Sequence, residues 1–313
     1  MSCAICRGKK GQLHPVFDSR AFHMLLKNKR IGTTMQPLSR HLGDLGRFAA
    51  AMLLLTLSFN SQYAFPSLVR RDIAELNSPW GWSIPISASV VYLLLLLLGS
   101  PAQAWRGTTC TRLLRIWNMG LCLVSGLMFW GMLLPFFQLP RHDLICMFPD
   151  RWDIPTTSGY WYSHMFLYSK FAELLDTFWL RMRKKPVSFL HAYHHISVLL
   201  FTWHCVTVRF WPGVYFALLN SFVHFIMYHY YFLASFGRVG HAKLLTLLQT
   251  SQMVVGLMIT VTWYLRHLLD SSACPMPSPW SVPFALLIYG SYLGLFMHYY
   301  VRRYGLTPKK RSL

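Results

Sequence analysis

The sequence predicts an all-α, multi-pass membrane protein. Three observations carry that prediction: a shortage of charge, a series of long apolar runs, and basic residues gathered between the runs. Of 313 residues, 54% are hydrophobic and 13% charged, about half the charged share of an ordinary soluble domain. Mean hydropathy is positive, +0.35. Lys and Arg number 30 against 10 Asp and Glu, a formal net charge of +20. In short connections between apolar runs such residues read as topology signals and contacts for acidic headgroups, not as a nucleic-acid footprint.

Residues 1–47 form a basic tail with little periodicity, carrying Lys9, Lys10, Lys27, Lys29 and Arg30. Residues 48–70 hold a marginal hydrophobic segment: its run from Phe48 to Phe65 is broken by Asn60, Ser61 and Gln62, and a span needs about 20 apolar residues. A presequence and an extra span both fit it. Residues 71–303 then carry seven stronger candidates: Ser83–Leu98, Leu113–Phe137, Trp161–Leu180, Phe189–Val208, Val214–Phe236, Leu244–Arg266 and Val282–Val301. The first is short, and Trp80 and Trp82 suit an interface just before it. Residues 304–313 are a basic tail.

Orientation follows from the short connections. One set of ends holds Arg106, Arg112, Arg115, Arg181, Arg183, Lys184, Lys185, Arg238, Lys243, Arg302, Arg303, Lys309, Lys310 and Arg311; the other holds Arg141, Arg151, Arg209 and Arg266. The positive-inside rule makes the first set cytosolic and with it the C-terminus. Of seven cysteines, Cys3 and Cys6 give only a weak pair in the tail, whereas Cys146 and Cys274 fall in the two longest lumenal connections. An oxidising compartment permits a bridge between those two.

Polar residues recur at helical spacing in four successive spans. The third reads Lys170-Phe171-Ala172-Glu173-Leu174-Leu175-Asp176-Thr177; at about 100° per residue Lys170, Glu173 and Thr177 share a face, with Asp176 at its edge. The fourth opens with His191, His194 and His195, an i, i+3, i+4 set close to the cytosolic end. In the fifth, Asn220, His224, Met227 and Tyr231 form a stripe with Tyr228 beside it; the sixth adds Thr246, Gln249 and Gln252. Ionisable and amide groups are expensive in lipid, so these faces should converge on an internal cavity.

Imidazoles at HxxHH spacing also suit iron or zinc, the basis of a metal-dependent lipid oxidase or hydroxylase reading. Such enzymes build on several histidine boxes, and this chain has one. A seven-span receptor explains the number of runs but not a histidine face beside a lysine and carboxylates. A transporter would show broken helices or internal repeats.

Together, Lys170-x-x-Glu173-x-x-Asp176-Thr177, His191-x-x-His194-His195, Asn220-x-x-x-His224-x-x-Met227-Tyr228-x-Tyr230-Tyr231 and Thr246-x-x-Gln249-x-x-Gln252-Met253 resemble the ELO family of very-long-chain fatty acid elongases, in the family's order and spacing. The likeness covers roughly residues 75–305. Ala192 stands where many members carry a large residue, and the first 70 residues have no counterpart in the typical pattern.

The resemblance implies a seven-helix endoplasmic reticulum enzyme, six helices forming a barrel-like bundle around an acyl tunnel, and a lumenal cysteine pair. It implies an acyltransferase, a very-long-chain 3-oxoacyl-CoA synthase, that joins acyl-CoA to malonyl-CoA and releases CO2 and CoA. No tightly bound cofactor or metal is implied. The partners would be a 3-ketoacyl-CoA reductase, a 3-hydroxyacyl-CoA dehydratase and an enoyl-CoA reductase; a homodimer is compatible with it. Gln252-Met253 leans towards saturated and monounsaturated chains, and Lys310-Arg311-Ser312-Leu313 approximates a dilysine retrieval signal.

Cys122 and Cys205 lack an adjacent cation or base that would activate a thiol, which turns the search for an acyl acceptor to imidazole. His194 is the expected nucleophile, with His191, His195 and His224 orienting it and moving protons. Asn220, Gln249 or Gln252 would donate to an enolate oxygen, with Lys170, Glu173, Asp176, Thr177, Tyr228 and Tyr231 in support. Direct condensation with the histidines as bases is equally compatible with these residues. Arg181, Arg183, Lys184, Lys185 and Lys243 would meet the CoA phosphates.

Overall fold

Ser188 shows how the sequence sets a helix start. Its extended backbone (φ −76°, ψ 155°) lets the side-chain oxygen accept the His191 amide N–H at 3.0 Å, satisfying one of the donors that the first helical turn leaves open. At the other end of the same helix the chain closes with Arg209 in the left-handed region (φ 56°). The Phe210 N–H then returns to the Cys205 carbonyl at 2.8 Å, the six-to-one bond of a Schellman motif. Lys184 (φ 51°) and Gly237 (φ 78°) close two other helices in this way, through Lys185 N–H to Leu180 O at 2.8 Å and Arg238 N–H to Leu233 O at 3.2 Å. Pro212 opens the next helix at its first positions, where a missing N–H costs nothing.

The computed structural model describes residues 81–98, 104–105, 107–137, 146, 158–238 and 240–305. The basic N-terminal tail, the segment over residues 48–70, Arg106, Arg141, Arg151 and residues 306–313 lie outside them. The described residues form helices α1 (Ser83–Leu97), α2 (Thr108–Phe136), α3 (Ser158–Glu173), α4 (Leu175–Met182), α5 (Phe189–Thr207), α6 (Pro212–Ala234), α7 (Ala242–Leu269) and α8 (Ser281–Tyr304). The protein is an all-α, multi-pass membrane helical bundle. Among the described helices α2, α7 and α8 are long and apolar enough to cross a bilayer, and α1 is a shorter apolar helix.

Each of the seven expected spans holds a helix, with ends within about three residues of those expected apart from two larger differences. The second starts at Thr108 instead of Leu113, because Gly107 (φ 131°) breaks the chain just before it. The third is not one helix but two, α3 and α4, joined at Leu174. There the backbone keeps right-handed helical angles (φ −59°, ψ −28°), but the bonds tighten: Leu174 N–H reaches Phe171 O at 3.2 Å and Thr177 N–H reaches Leu174 O at 3.2 Å. A three-residue repeat of this kind rotates the downstream residues away from the positions a continuous α-helix would give them.

α2 packs on α6 and α3, α3 on α5, α5 on α8, α8 on α7 and α7 on α6, while α1 lies outside this circuit against α5. Two glycines allow close approach. A Cβ on Gly131 of α2 would run into the Tyr162 ring of α3, and one on Gly256 of α7 into the Tyr289 ring of α8. The main core gathers Met128, Phe166, Phe201, Phe216, Trp263 and Tyr289. By contrast α1 buries only Pro85, Ser89 and Tyr92, one helical stripe, and leaves Leu93, Leu94, Leu95 and Leu97 exposed, as a lipid-facing helix does.

Beyond α7, Asp270 shapes the connection that carries Cys274. Its Oδ1 accepts from the Ser272 hydroxyl at 2.6 Å and the Ala273 N–H at 3.0 Å, which holds its carboxyl below the usual carboxylate range. Cys274 is bridged to Cys146 with Cα atoms 4.6 Å apart.

Candidate active site

A cavity of about 110 Å³ runs beside α5, and its lining divides along the helix. His194, Asn220, Gln252 and Tyr292 line one end; Cys205, Thr207, Arg209, Phe210 and Gly213 line the other, with Val198, Phe201 and Phe216 between. The loop joining α5 and α6 contributes Arg209 and Phe210 to that second end. Between His194 and Thr207, α5 climbs about 20 Å at about 1.5 Å per residue.

The polar end is built on a buried ion pair. Lys170 and Glu173, one turn apart on α3, are 1% and 2% exposed, with Nζ 2.7 Å from Glu173 Oε1. The Lys170 ammonium also donates to Asn220 Oδ1 at 2.8 Å and stands 4.1 Å above the Phe166 ring. Its donors thus find a carboxylate, an amide oxygen and a π-face, which is what a fully buried ammonium needs. With Oδ1 occupied, the Asn220 amide keeps its NH2 group for the cavity. Ser169 adds a 3.2 Å hydrogen bond to Glu173 Oε1, and His224 Nδ1 lies 3.5 Å from the same oxygen. Glu173 Oε2 and His224 Nδ1 are buried without a hydrogen-bond partner.

The break at Leu174 sends the next polar residues elsewhere. Asp176 does not join the Lys170 pair; it accepts from Trp117 Nε1 at 2.7 Å and Tyr228 OH at 2.6 Å. Thr177 leaves the Lys170 face as well. Its Oγ1 lies 2.8 Å from His191 Nε2 and 2.7 Å from the Tyr92 hydroxyl. The shared face expected for Lys170, Glu173 and Thr177 is therefore corrected: two residues serve α6, and Thr177 serves α1 and α5.

The three histidines have three settings. His191 bonds to Thr177, and its ring lies 4.3 Å from that of His195. His195 is buried with Nδ1 unpartnered. His194 is the one that lines the cavity, with the Tyr292 ring 5.0 Å away. Tyr292 also hydrogen-bonds Ser197 at 2.7 Å and donates to the His194 carbonyl at 3.3 Å, clamping α5 to α8. Among the described residues no group of three or more His, Cys, Asp or Glu is placed to hold a metal ion.

Several expected contributors stand away from the cavity. Gln249 donates to Met227 Sδ at 3.4 Å; Gln252 lines the cavity instead. Tyr231 is 42% exposed, its ring 6.3 Å from that of Tyr228. None of Arg181, Arg183, Lys184, Lys185 and Lys243 is among the lining residues, and the basic residue that is, Arg209, comes from the opposite end. Arg181 donates to Leu96 O at 3.1 Å, and Lys243 lies 5.8 Å from the Tyr300 ring centroid. The sequence reading missed Tyr92, Trp117 and Tyr292. Tyr92 had a legible signal, the Pro85, Ser89, Tyr92 stripe in a helix otherwise rich in leucine.

With this geometry in place, comparison with known proteins decides the family. The model of the GNS1/SUR4 (ELO) family matches residues 80–312. The chain belongs to that family. Fatty acid elongase 3 of Trypanosoma cruzi (strain CL Brener) is 34% identical over 262 residues, covering 74% of this chain and 87% of that protein. Putative fatty acid elongase 3 of Caenorhabditis elegans is 31% identical over 231 residues, 71% of each. A very long chain fatty acid elongase 4 of the same trypanosome is 35% identical over 191 residues, 58% of this chain and 65% of its own. The family match covers the cavity and every residue that lines it.

Proposed function

We propose that this protein is a fatty acid elongase, a 3-oxoacyl-CoA synthase that condenses acyl-CoA with malonyl-CoA to give 3-ketoacyl-CoA, CO2 and CoA. The observation that carries the reading is that His194 and Asn220 line the same, largely apolar cavity, in a chain whose relatives are named fatty acid elongases. An acyl chain would occupy the apolar length, within a barrel of six helices, α3 and α4 together supplying one wall segment. Seven membrane crossings, residence in the endoplasmic reticulum, a cytosolic C-terminus and a lumenal Cys146–Cys274 bridge complete the proposal.

In the proposed chemistry an imidazole nitrogen of His194 attacks the thioester carbonyl. The C–S bond breaks, CoA leaves as the thiol after taking up a proton, and an acyl-imidazole remains. Malonyl-CoA then loses CO2, and the electron pair of that C–C bond becomes an enolate. The enolate carbon attacks the acyl carbon, the C–N bond breaks, and His194 is restored. The Asn220 amide and Gln252, which line the cavity with His194, would donate to the enolate oxygen. His191, His195 and His224 orient His194 and carry protons. Lys170 and Glu173 act on Asn220 and His224 as positioning residues, as Asp176 does on Tyr228. CoA phosphates would meet Arg183, Lys184 and Lys185, with Arg181 and Lys243 behind them. Reduction and dehydration of the product belong to partner enzymes, since the three later steps need nicotinamide or dehydratase chemistry.

The test is formation of 3-ketoacyl-CoA by purified protein supplied with both thioesters. It should require malonyl-CoA and disappear in His194→Ala. Acyl-CoA alone should release free CoA and add one acyl mass to the intact protein; CoA release without an adduct, or neither, would sink the covalent step while leaving condensation standing.

A further inference from the structure

Helix α1 lies outside the circuit of packed helices, yet one of its side chains reaches the histidines. The Tyr92 ring is 3% exposed, and its hydroxyl lies 2.7 Å from Thr177 Oγ1. Thr177, 4% exposed, lies in turn 2.8 Å from His191 Nε2. These two contacts form a chain of three groups from three helices, α1, α4 and α5.

Counting protons gives the chain a direction. Each hydroxyl has one proton to donate, and a neutral imidazole nitrogen is either donor or acceptor. If His191 Nε2 carried the proton, it would donate to Thr177, Thr177 to Tyr92, and the buried Tyr92 proton would need a further acceptor. Among the described residues Thr177 is the only hydrogen-bond partner of that hydroxyl. In the other direction Tyr92 donates to Thr177 and Thr177 donates to His191 Nε2. Both hydroxyl protons are then used, and the one donor left over belongs to the half-buried His191 ring, whose Nδ1 is not among the buried atoms without a partner, instead of to the buried Tyr92. A buried donor without an acceptor is the costly alternative, so the second direction prevails, and it leaves the His191 proton on Nδ1.

We propose that Tyr92 is a positioning residue of the active site: through Thr177 it fixes the ring and tautomer of His191, making Nε2 an acceptor and Nδ1 the donor nitrogen. This rests on the proposed condensing role of the histidine face. His191 lies 4.3 Å, ring to ring, from His195, which lies 5.6 Å from His194; a neutral histidine of fixed tautomer at the edge of this group determines which nitrogen its neighbours meet. α1 therefore belongs to the catalytic unit although its remaining surface faces outward. The Arg181 guanidinium, bonded to Leu96 O at 3.1 Å, ties the end of α1 to the same α4 that carries Thr177.

The test uses Tyr92→Phe, which keeps the ring and its packing and deletes only the hydroxyl, together with Thr177→Val and Thr177→Ser. In the full-length protein in detergent, nitrogen-15 spectra of labelled histidine should assign the His191 proton to Nδ1, and that assignment should be lost or mixed in Tyr92→Phe and in Thr177→Val. Condensation by Tyr92→Phe should fall about tenfold or more in kcat with KM for acyl-CoA within about twofold. Thr177→Ser should restore the rate. The double variant should lose no more than Thr177→Val alone, because both changes cut one chain. A His191 proton on Nε2 in the unaltered protein, unchanged spectra in Tyr92→Phe, or losses that multiply in the double variant would each overturn the proposal. The spectra need no substrate, so they decide this point even if malonyl-CoA condensation is not found.

Discussion

The two ends of the cavity are built on opposite principles. At the His194 end, polar groups are held by other polar groups: Lys170 by Glu173, Asn220 and Phe166, Asp176 by Trp117 and Tyr228. Towards the Phe210 end the walls are mainly Val198, Phe201, Phe216 and Cys205, whose contacts have no direction, with Thr207 and Arg209 at the mouth. The first end resists any change of chemistry, because removing one partner strands another in a low-dielectric site. The second responds to volume, since an apolar wall needs only shape. The difference teaches where to look for each property: under the proposed function, reaction type would rest on the first end and chain selection on the second.

The sharpest way to break this contrast is at His194. His194→Ala should remove condensation by about 10²-fold or more while protein yield holds, since that ring faces the cavity; a variant with undiminished turnover would move the chemistry elsewhere. Lys170→Ala comes next. It strands Glu173 and releases Asn220, and should cost about 3–5 kcal/mol of stability, read as a lower melting temperature in detergent together with lost activity. Replacing both members, Lys170→Met with Glu173→Leu, should recover much of the stability and none of the activity. Cys146→Ala should cost about 2–4 kcal/mol, as expected when a long loop is released, and change mobility on a non-reducing gel.

At the other end the effects should be smaller and of a different kind. Gly213 faces Cys205 so closely that an added Cβ would lie 2.8 Å from the Cys205 Cβ. Gly213→Ala should cost about 1–3 kcal/mol and shift the products of purified enzyme towards shorter chains, with turnover on the shortest accepted substrate within about threefold of the unaltered protein. Equal losses on all chain lengths would show instead that the two ends are not separable.

Much of the site was legible before folding, but not its wiring. His191, His194 and His195 stand out because i, i+3, i+4 spacing in an apolar run admits few other readings. Lys170, Glu173 and Asn220 stand out because charge and amide are costly there. What spacing could not give was the rotation at Leu174, which depends on two hydrogen bonds and sends Thr177 and Asp176 to different partners. Tyr92, Trp117 and Tyr292 were hidden for another reason. An aromatic residue in an apolar helix looks like packing until a neighbour from another helix presents its hydroxyl or carboxylate.

Composition and period therefore determined, by themselves, that this chain is a membrane helix bundle with a polar interior face, since charge scarcity and helical spacing act locally along the sequence. Only the tertiary structure decided which histidine lines the cavity, which carboxylate pairs with Lys170 and which side chain of α1 meets Thr177. Those outcomes depend on distances between helices far apart in sequence, where a few ångströms separate a hydrogen bond from no interaction.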